Sequence, residues 1–211
     1  MEDLNLEMQD MDKDFEQLLV NIMGGKKEEE PIPEIPDNYK LVLLMGLDES
    51  GKTSLINKFV YDEFFKPTPT DLADHTKYTC NDKNLFIREL GGRYRFRENW
   101  PELYKDAAAL IWVVDIVDRG RVIESREELE KVLNHPLIQS LPVLIIFNKI
   151  DSRLKMTHEK CDELMQISNL FENRKYKVID TCHITCENMK EGFEWLSDNI
   201  ESKEEVPKPS E

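Results

Sequence analysis

The chain has 211 residues, 40% hydrophobic and 34% charged, which suits one globular domain of about 160–170 residues flanked by tails. A net charge of −15 disfavours nonspecific nucleic-acid binding, and no apolar run reaches the ~18–20 residues of a membrane-spanning helix. The acidity sits in the tails, since residues 1–37 hold 12 acidic against 3 basic side chains and 201–211 hold 4 against 2.

In the first segment, 1–25, Leu4, Met8, Met11, Phe15, Leu18 and Ile22 recur by threes and fours, which predicts a helix with one apolar stripe, stopped at Gly24-Gly25. Its polar face carries Glu7, Asp10, Asp12, Asp14 and Glu16. Such a face is repelled by anionic lipid, so the stripe is expected to dock in a protein groove. Residues 26–38, KKEEEPIPEIPDN, read as a charged linker in which Pro31, Pro33 and Pro36 block a helix.

A domain spanning 39–201 follows, and 202–211 is an acidic tail. KLVLLMG (40–46), ALIWVVD (109–115) and PVLIIFN (142–148) are short apolar runs that predict buried parallel strands. HTKYTCN and NLFIREL predict a hairpin, and a further strand is expected at 177–182. Helices are predicted over 52–61, 121–134, 158–170 and 189–200, whereas 94–105 is mixed. Alternating strands and helices predict an α/β fold: a mostly parallel six-stranded sheet with helices on both faces. In such sheets ligands bind beyond the carboxyl ends of the strands.

The loop after the first strand, Gly46-Leu47-Asp48-Glu49-Ser50-Gly51-Lys52-Thr53, fits G-x4-G-K-[ST] between a strand and a helix. Backbone N–H groups of Gly46, Asp48, Glu49, Ser50 and Gly51, with the helix N-terminus, can cradle phosphates. Lys52 can reach the outer phosphates and the Thr53 hydroxyl can ligate Mg²⁺. After the third buried strand comes Asn148-Lys149-Ile150-Asp151. A carboxylate at Asp151 can accept from both N–H groups on one edge of guanine, which adenine lacks. Asn148 would brace this loop and the Lys149 stem would cover the base. Thr181-Cys182-His183 would bring a backbone N–H to the guanine carbonyl. The guanine loop, and the lack of an arginine-rich lid, disfavour a small ATP-dependent kinase. Cys182-x3-Cys186 with His183 offers too few ligands for a metal. The four cysteines are expected to be reduced thiols in a cytosolic protein.

These motifs in this order, with VVDIVDRGRV (113–122) and EGFEWLSDNI (191–200), resemble the small GTPases of the ADP-ribosylation factor family over residues 38–201. The resemblance implies a phosphate-loop small-GTPase fold, GTP/GDP and Mg²⁺ as ligands, and protein partners met through the switch regions and the N-terminal helix. It places Thr70 on Mg²⁺, Glu89 on Mg²⁺ through water, and the Gly92 N–H on the γ-phosphate. Arg93 stands where the family has the glutamine that orients the attacking water, and a guanidinium has no acceptor for that task. Slow or absent intrinsic hydrolysis is therefore expected, with a non-cycling scaffold subunit as the alternative. Asp71-Leu72 also departs from the family's Ile-Gly. The family's lipid sits on a glycine after Met1; here Glu2 follows, so no lipid anchor is expected. A cytoplasmic protein results, with partners able to hold it at a cytoskeletal, ciliary or membrane-peripheral assembly.

Overall fold

Six strands run in the order β2-β3-β1-β4-β5-β6 across one sheet. They are β1 (Tyr39–Met45), β2 (Ala73–Cys80), β3 (Lys83–Leu90), β4 (Ala107–Asp115), β5 (Val143–Asn148) and β6 (Tyr176–Asp180). The computed structural model describes residues 33–63, 70, 73–172 and 174–201. The expected helix of 1–25, most of the linker, Pro67, Thr68, Asp71, Leu72 and the 202–211 tail lie outside them. One compact unit begins at Ile35; of the separate unit before it, only Pro33 and Glu34 are described.

All neighbouring strands pair in parallel except the edge strand β2, which is antiparallel to β3 across a tight turn with positive φ at Asn81 and Asp82. The interior strands are buried on both faces because residue parity divides their apolar side chains. Leu41, Leu43, Met45, Phe86, Trp112 and Phe147 build one core layer, and Val42, Leu44, Ile87, Ile111 and Val113 build the other. α1 (Lys52–Tyr61) contributes Leu55 and Ile56 to the second layer. After the short α2 (Tyr94–Arg97), the first layer is covered by a 3-10 turn (Trp100–Leu103), α3 (Val122–Leu133), α4 (His158–Met165) and α5 (Ile167–Leu170). α6 (Met189–Asn199) closes the second layer with Met189, Phe193 and Leu196.

Two expectations change in detail. The helix predicted over 158–170 is broken at Gln166, whose left-handed backbone (φ 51°, ψ 43°) ends α4 and starts α5. The strand expected to reach Cys182 ends at Asp180, so that the Ile150 N–H donates to the Thr181 carbonyl across two loops. Both changes leave the strand ends in place. Asp115 of β4 lies opposite Asn148 of β5, while β1 and β3 run out at Met45 and Leu90.

Candidate nucleotide and metal site

The loop from Gly46 to Gly51 carries the chain from β1 into α1 at this edge. Gly51 needs to be glycine: its φ is +88°, and a Cβ there would lie 2.5 Å from Asn148 Nδ2. Lys52 is buried beneath the loop, its Nζ donating to the carbonyls of Gly46 (3.1 Å) and Leu47 (2.9 Å). Burial lowers its pKa to about 8, against the upward pull of Glu89 and Asp48. The buried Ser50 hydroxyl has no partner among the described residues. Asp48 accepts from Arg121 (3.0 Å) and faces Arg97 (3.5 Å), while Glu49 is exposed at φ +61°.

Thr53, Thr70 and Glu89 come from three separate segments and meet at one point. Thr53 Oγ1 donates to Glu89 Oε1 at 2.6 Å, Thr70 Oγ1 donates to the same oxygen at 3.1 Å, and the two hydroxyl oxygens are 3.4 Å apart. Glu89 is buried, which raises its pKa, while Lys52 and both hydroxyls pull it back down. Among the described residues no three His, Cys, Asp or Glu side chains gather, so a cation here would be held by these hydroxyls and one carboxylate. Such hard oxygen donors fit Mg²⁺, which takes few protein ligands and leaves positions for water and phosphate.

Gly91 and Gly92 follow β3 directly. A Cβ on Gly92 would lie 2.3 Å from Asp48 N and 2.6 Å from the Gly46 carbonyl, so this turn rests on the phosphate loop itself. The Gly91 carbonyl accepts from Trp100 Nε1 (3.0 Å) and the Gly92 carbonyl from Arg97 Nε (2.8 Å). Arg93 is half-buried at the start of α2.

The base loop is tied to the phosphate loop. The Asn148 side chain is fully buried and donates through Nδ2 to the Ser50 carbonyl (2.8 Å), and its Oδ1 accepts from Lys149 N (2.8 Å). Lys149 lies across the site, its Nζ on the Glu49 carbonyl (2.7 Å) and on Asp115 Oδ2 (2.6 Å). Asp151 is exposed beyond it. Cys182 is buried with its thiol 3.3 Å from Thr185 Oγ1, and His183 is half-buried beside it. The structure thus brings the predicted phosphate and metal residues, with Asn148 and Lys149 of the base loop, together beyond the carboxyl ends of β1, β3 and β5.

Three participants escaped sequence reasoning: Asp115, Arg97 and Arg121. Asp115 ends a buried strand, the place where site residues are expected. The arginines lie in stretches dense with like residues, and nothing local marks which of them turns inward.

A strand, a glycine-rich loop wrapped over a buried lysine, a helix, and an asparagine-anchored loop two strands away define a phosphate-loop GTPase fold. The family model "ADP-ribosylation factor family" matches residues 34–200, and the chain belongs to that family of small GTP-binding regulatory proteins. It is 30% identical to ADP-ribosylation factor-like protein 6 of Danio rerio, across 75% of this chain and 87% of that protein. Among solved structures it is similar to the Arl6 BBS3 small GTPase of Trypanosoma brucei with the bound nucleotide analogue GppNp. That likeness has a TM-score of 0.70 at 25% identity and covers 77% of this chain and 97% of that one.

Proposed function

We propose that the chain is a guanine-nucleotide switch whose own GTP hydrolysis is very slow. The observation that carries this reading is the convergence of Thr53, Thr70 and Glu89 beside Lys52, with Arg93 at the glutamine position. Backbone N–H groups of residues 46–51 bind the phosphates, and Lys52 turns from the loop carbonyls to the outer phosphates. Thr53 and Thr70 would hold Mg²⁺ directly and Glu89 through water, and the ion would neutralise charge on the phosphate oxygens. The Gly92 N–H meets the third phosphate. Asp151 accepts from the guanine edge, the Lys149 stem covers the ring, and the Cys182–His183 backbone faces the base carbonyl. Arg93 can offer charge but no acceptor, so the attacking water is left unoriented.

Within the family we assign the chain to the branch of ADP-ribosylation-factor-like protein 16, on Arg88-Glu89-Leu90-Gly91-Gly92 and Ile146-Phe147-Asn148-Lys149-Ile150-Asp151. ADP-ribosylation-factor-like protein 13 is the alternative branch, on Arg95-x-Arg97-x2-Trp100. Segments 1–25, 26–38, 39–201 and 202–211 serve as partner helix, linker, GTPase domain and tail. Protein partners engage the switch regions and segment 1–25 in the cytoplasm.

Single-turnover hydrolysis tests the reading. The wild type should turn over at or below the roughly 10⁻⁴ per second of unaided small GTPases, and Arg93→Gln should raise the rate. Ready turnover by the wild type alone would refute it. A co-purifying nucleotide that neither exchanges nor hydrolyses would favour the non-cycling scaffold.

A further inference from the structure

We propose that α3 aims the Gly92 N–H at the third phosphate through two side-chain arms, which makes Arg97 and Trp100 positioning residues for triphosphate recognition. The inference rests on the guanine-nucleotide reading above. In a trans peptide the C=O and the N–H point in opposite directions from one rigid plane. The Gly92 N–H shares its plane with the Gly91 carbonyl, and that carbonyl accepts from Trp100 Nε1 at 3.0 Å. The next plane carries the Gly92 carbonyl, which accepts from Arg97 Nε at 2.8 Å. The plane that carries this N–H and the plane that follows it are therefore both pinned by side chains, which fixes Gly92 on either side of its Cα.

Both pins lead back to α3. Trp100 stands edge-on to Trp112, with ring centroids 6.0 Å apart, and Trp112 Nε1 donates to Ser125 of α3 at 3.1 Å. Arg97 Nη1 pairs with Glu124 of α3 at 2.7 Å, and its Nη2 faces Asp48 of the phosphate loop at 3.5 Å. The guanidinium is buried, and spans the glycine turn, the phosphate loop and α3 at once. A fork of five fixed donors suits that task, and an ammonium could reach only part of it. Glycine's freedom is the reason the clamp is needed. With no Cβ at Gly91 or Gly92, local sterics do not fix the planes, and the entropy of holding the N–H in place must be met by other residues.

The role separates from plain stability because a diphosphate has no third phosphate for this N–H to meet. In the full-length chain, dissociation constants for GDP and for a non-hydrolysable GTP analogue would be measured for the wild type, Trp100→Phe, Arg97→Gln, Arg97→Lys and Glu124→Gln. Trp100→Phe and Arg97→Gln should each weaken the analogue about tenfold and leave GDP within about twofold. Arg97→Lys should recover part of the loss. Glu124→Gln changes a side chain that is 38% exposed, so it should fold even if the others do not, and it should show a smaller loss in the same direction. Equal weakening of both nucleotides, or no change in either, would overturn the inference. A wild type that binds neither nucleotide would instead sink the underlying reading, and this one with it.

Discussion

Lys52 ties the charge of the site to pH. Its folded-state pKa of about 8 lies below its ordinary 10.5, so between those values the folded chain gives up a proton that the unfolded chain keeps. Folding stability from this group therefore rises with pH through that window. Nucleotide affinity should do the opposite, since phosphates need the ammonium. A fluorescent GDP titration should be level below about pH 8 and fall above it, tending toward tenfold per pH unit. A flat profile to pH 10 would show that Lys52 keeps its proton. Gly51→Ala should cost both nucleotides at least about tenfold, because a Cβ there strains the loop and pushes on Asn148, which braces the base loop. At this scale much of the site was legible in the sequence: Lys52, Thr53 and Asn148 stand in motifs whose spacing reflects their geometry. Arg97 and Arg121 were not, because their roles depend on which neighbours the fold brings to Asp48, and a charged residue in a charged stretch gives no sign of turning inward.

Among the elements, the β2–β3 hairpin is fastened to the last helix. Lys83 Nζ donates to the carbonyls of Ser197 (2.5 Å) and Ile200 (3.1 Å), capping the C-terminal end of α6 where a cation is favoured. Ser197 Oγ donates to the Cys80 carbonyl (3.0 Å), and Asn81 donates to Asp198 (3.0 Å). Lys83→Ala should cost about 1 kcal/mol in denaturant unfolding with little effect on GDP affinity, since the contact lies at the closed end of the hairpin, away from Thr70 and Glu89. Strand existence was legible from apolar runs, because a strand buried on both faces has no polar alternation to confuse. Helix boundaries were less so. Gln166 breaks one predicted helix into α4 and α5 although glutamine is a good helix former, and the break lets Ile167 and Phe171 turn into the first core layer.

For the whole molecule, the acidic segment 1–25 with its apolar stripe is assigned to an outside protein partner. Its deletion should leave GDP affinity within a few-fold if it serves an outside partner, and should change the GDP/GTP preference if it competes with a switch rearrangement. Robust liposome binding that vanishes on deletion would contradict its assignment to a protein groove. The mostly parallel six-stranded sheet and the family both followed from patterns and motifs in sequence, yet the anchoring of base loop to phosphate loop through Asn148 and Lys149 emerged only in the folded sheet, where β5 lies two strands from β1. The base is the central claim. The most direct measurement is competitive binding of GTP, ATP and XTP to the wild type and to Asp151→Asn. The wild type should prefer GTP over ATP by at least about a hundredfold, and the variant should shift its preference to XTP, because an amide can donate to the xanthine carbonyl where the carboxylate accepted from guanine. Equal binding of ATP and GTP by the wild type would contradict the account.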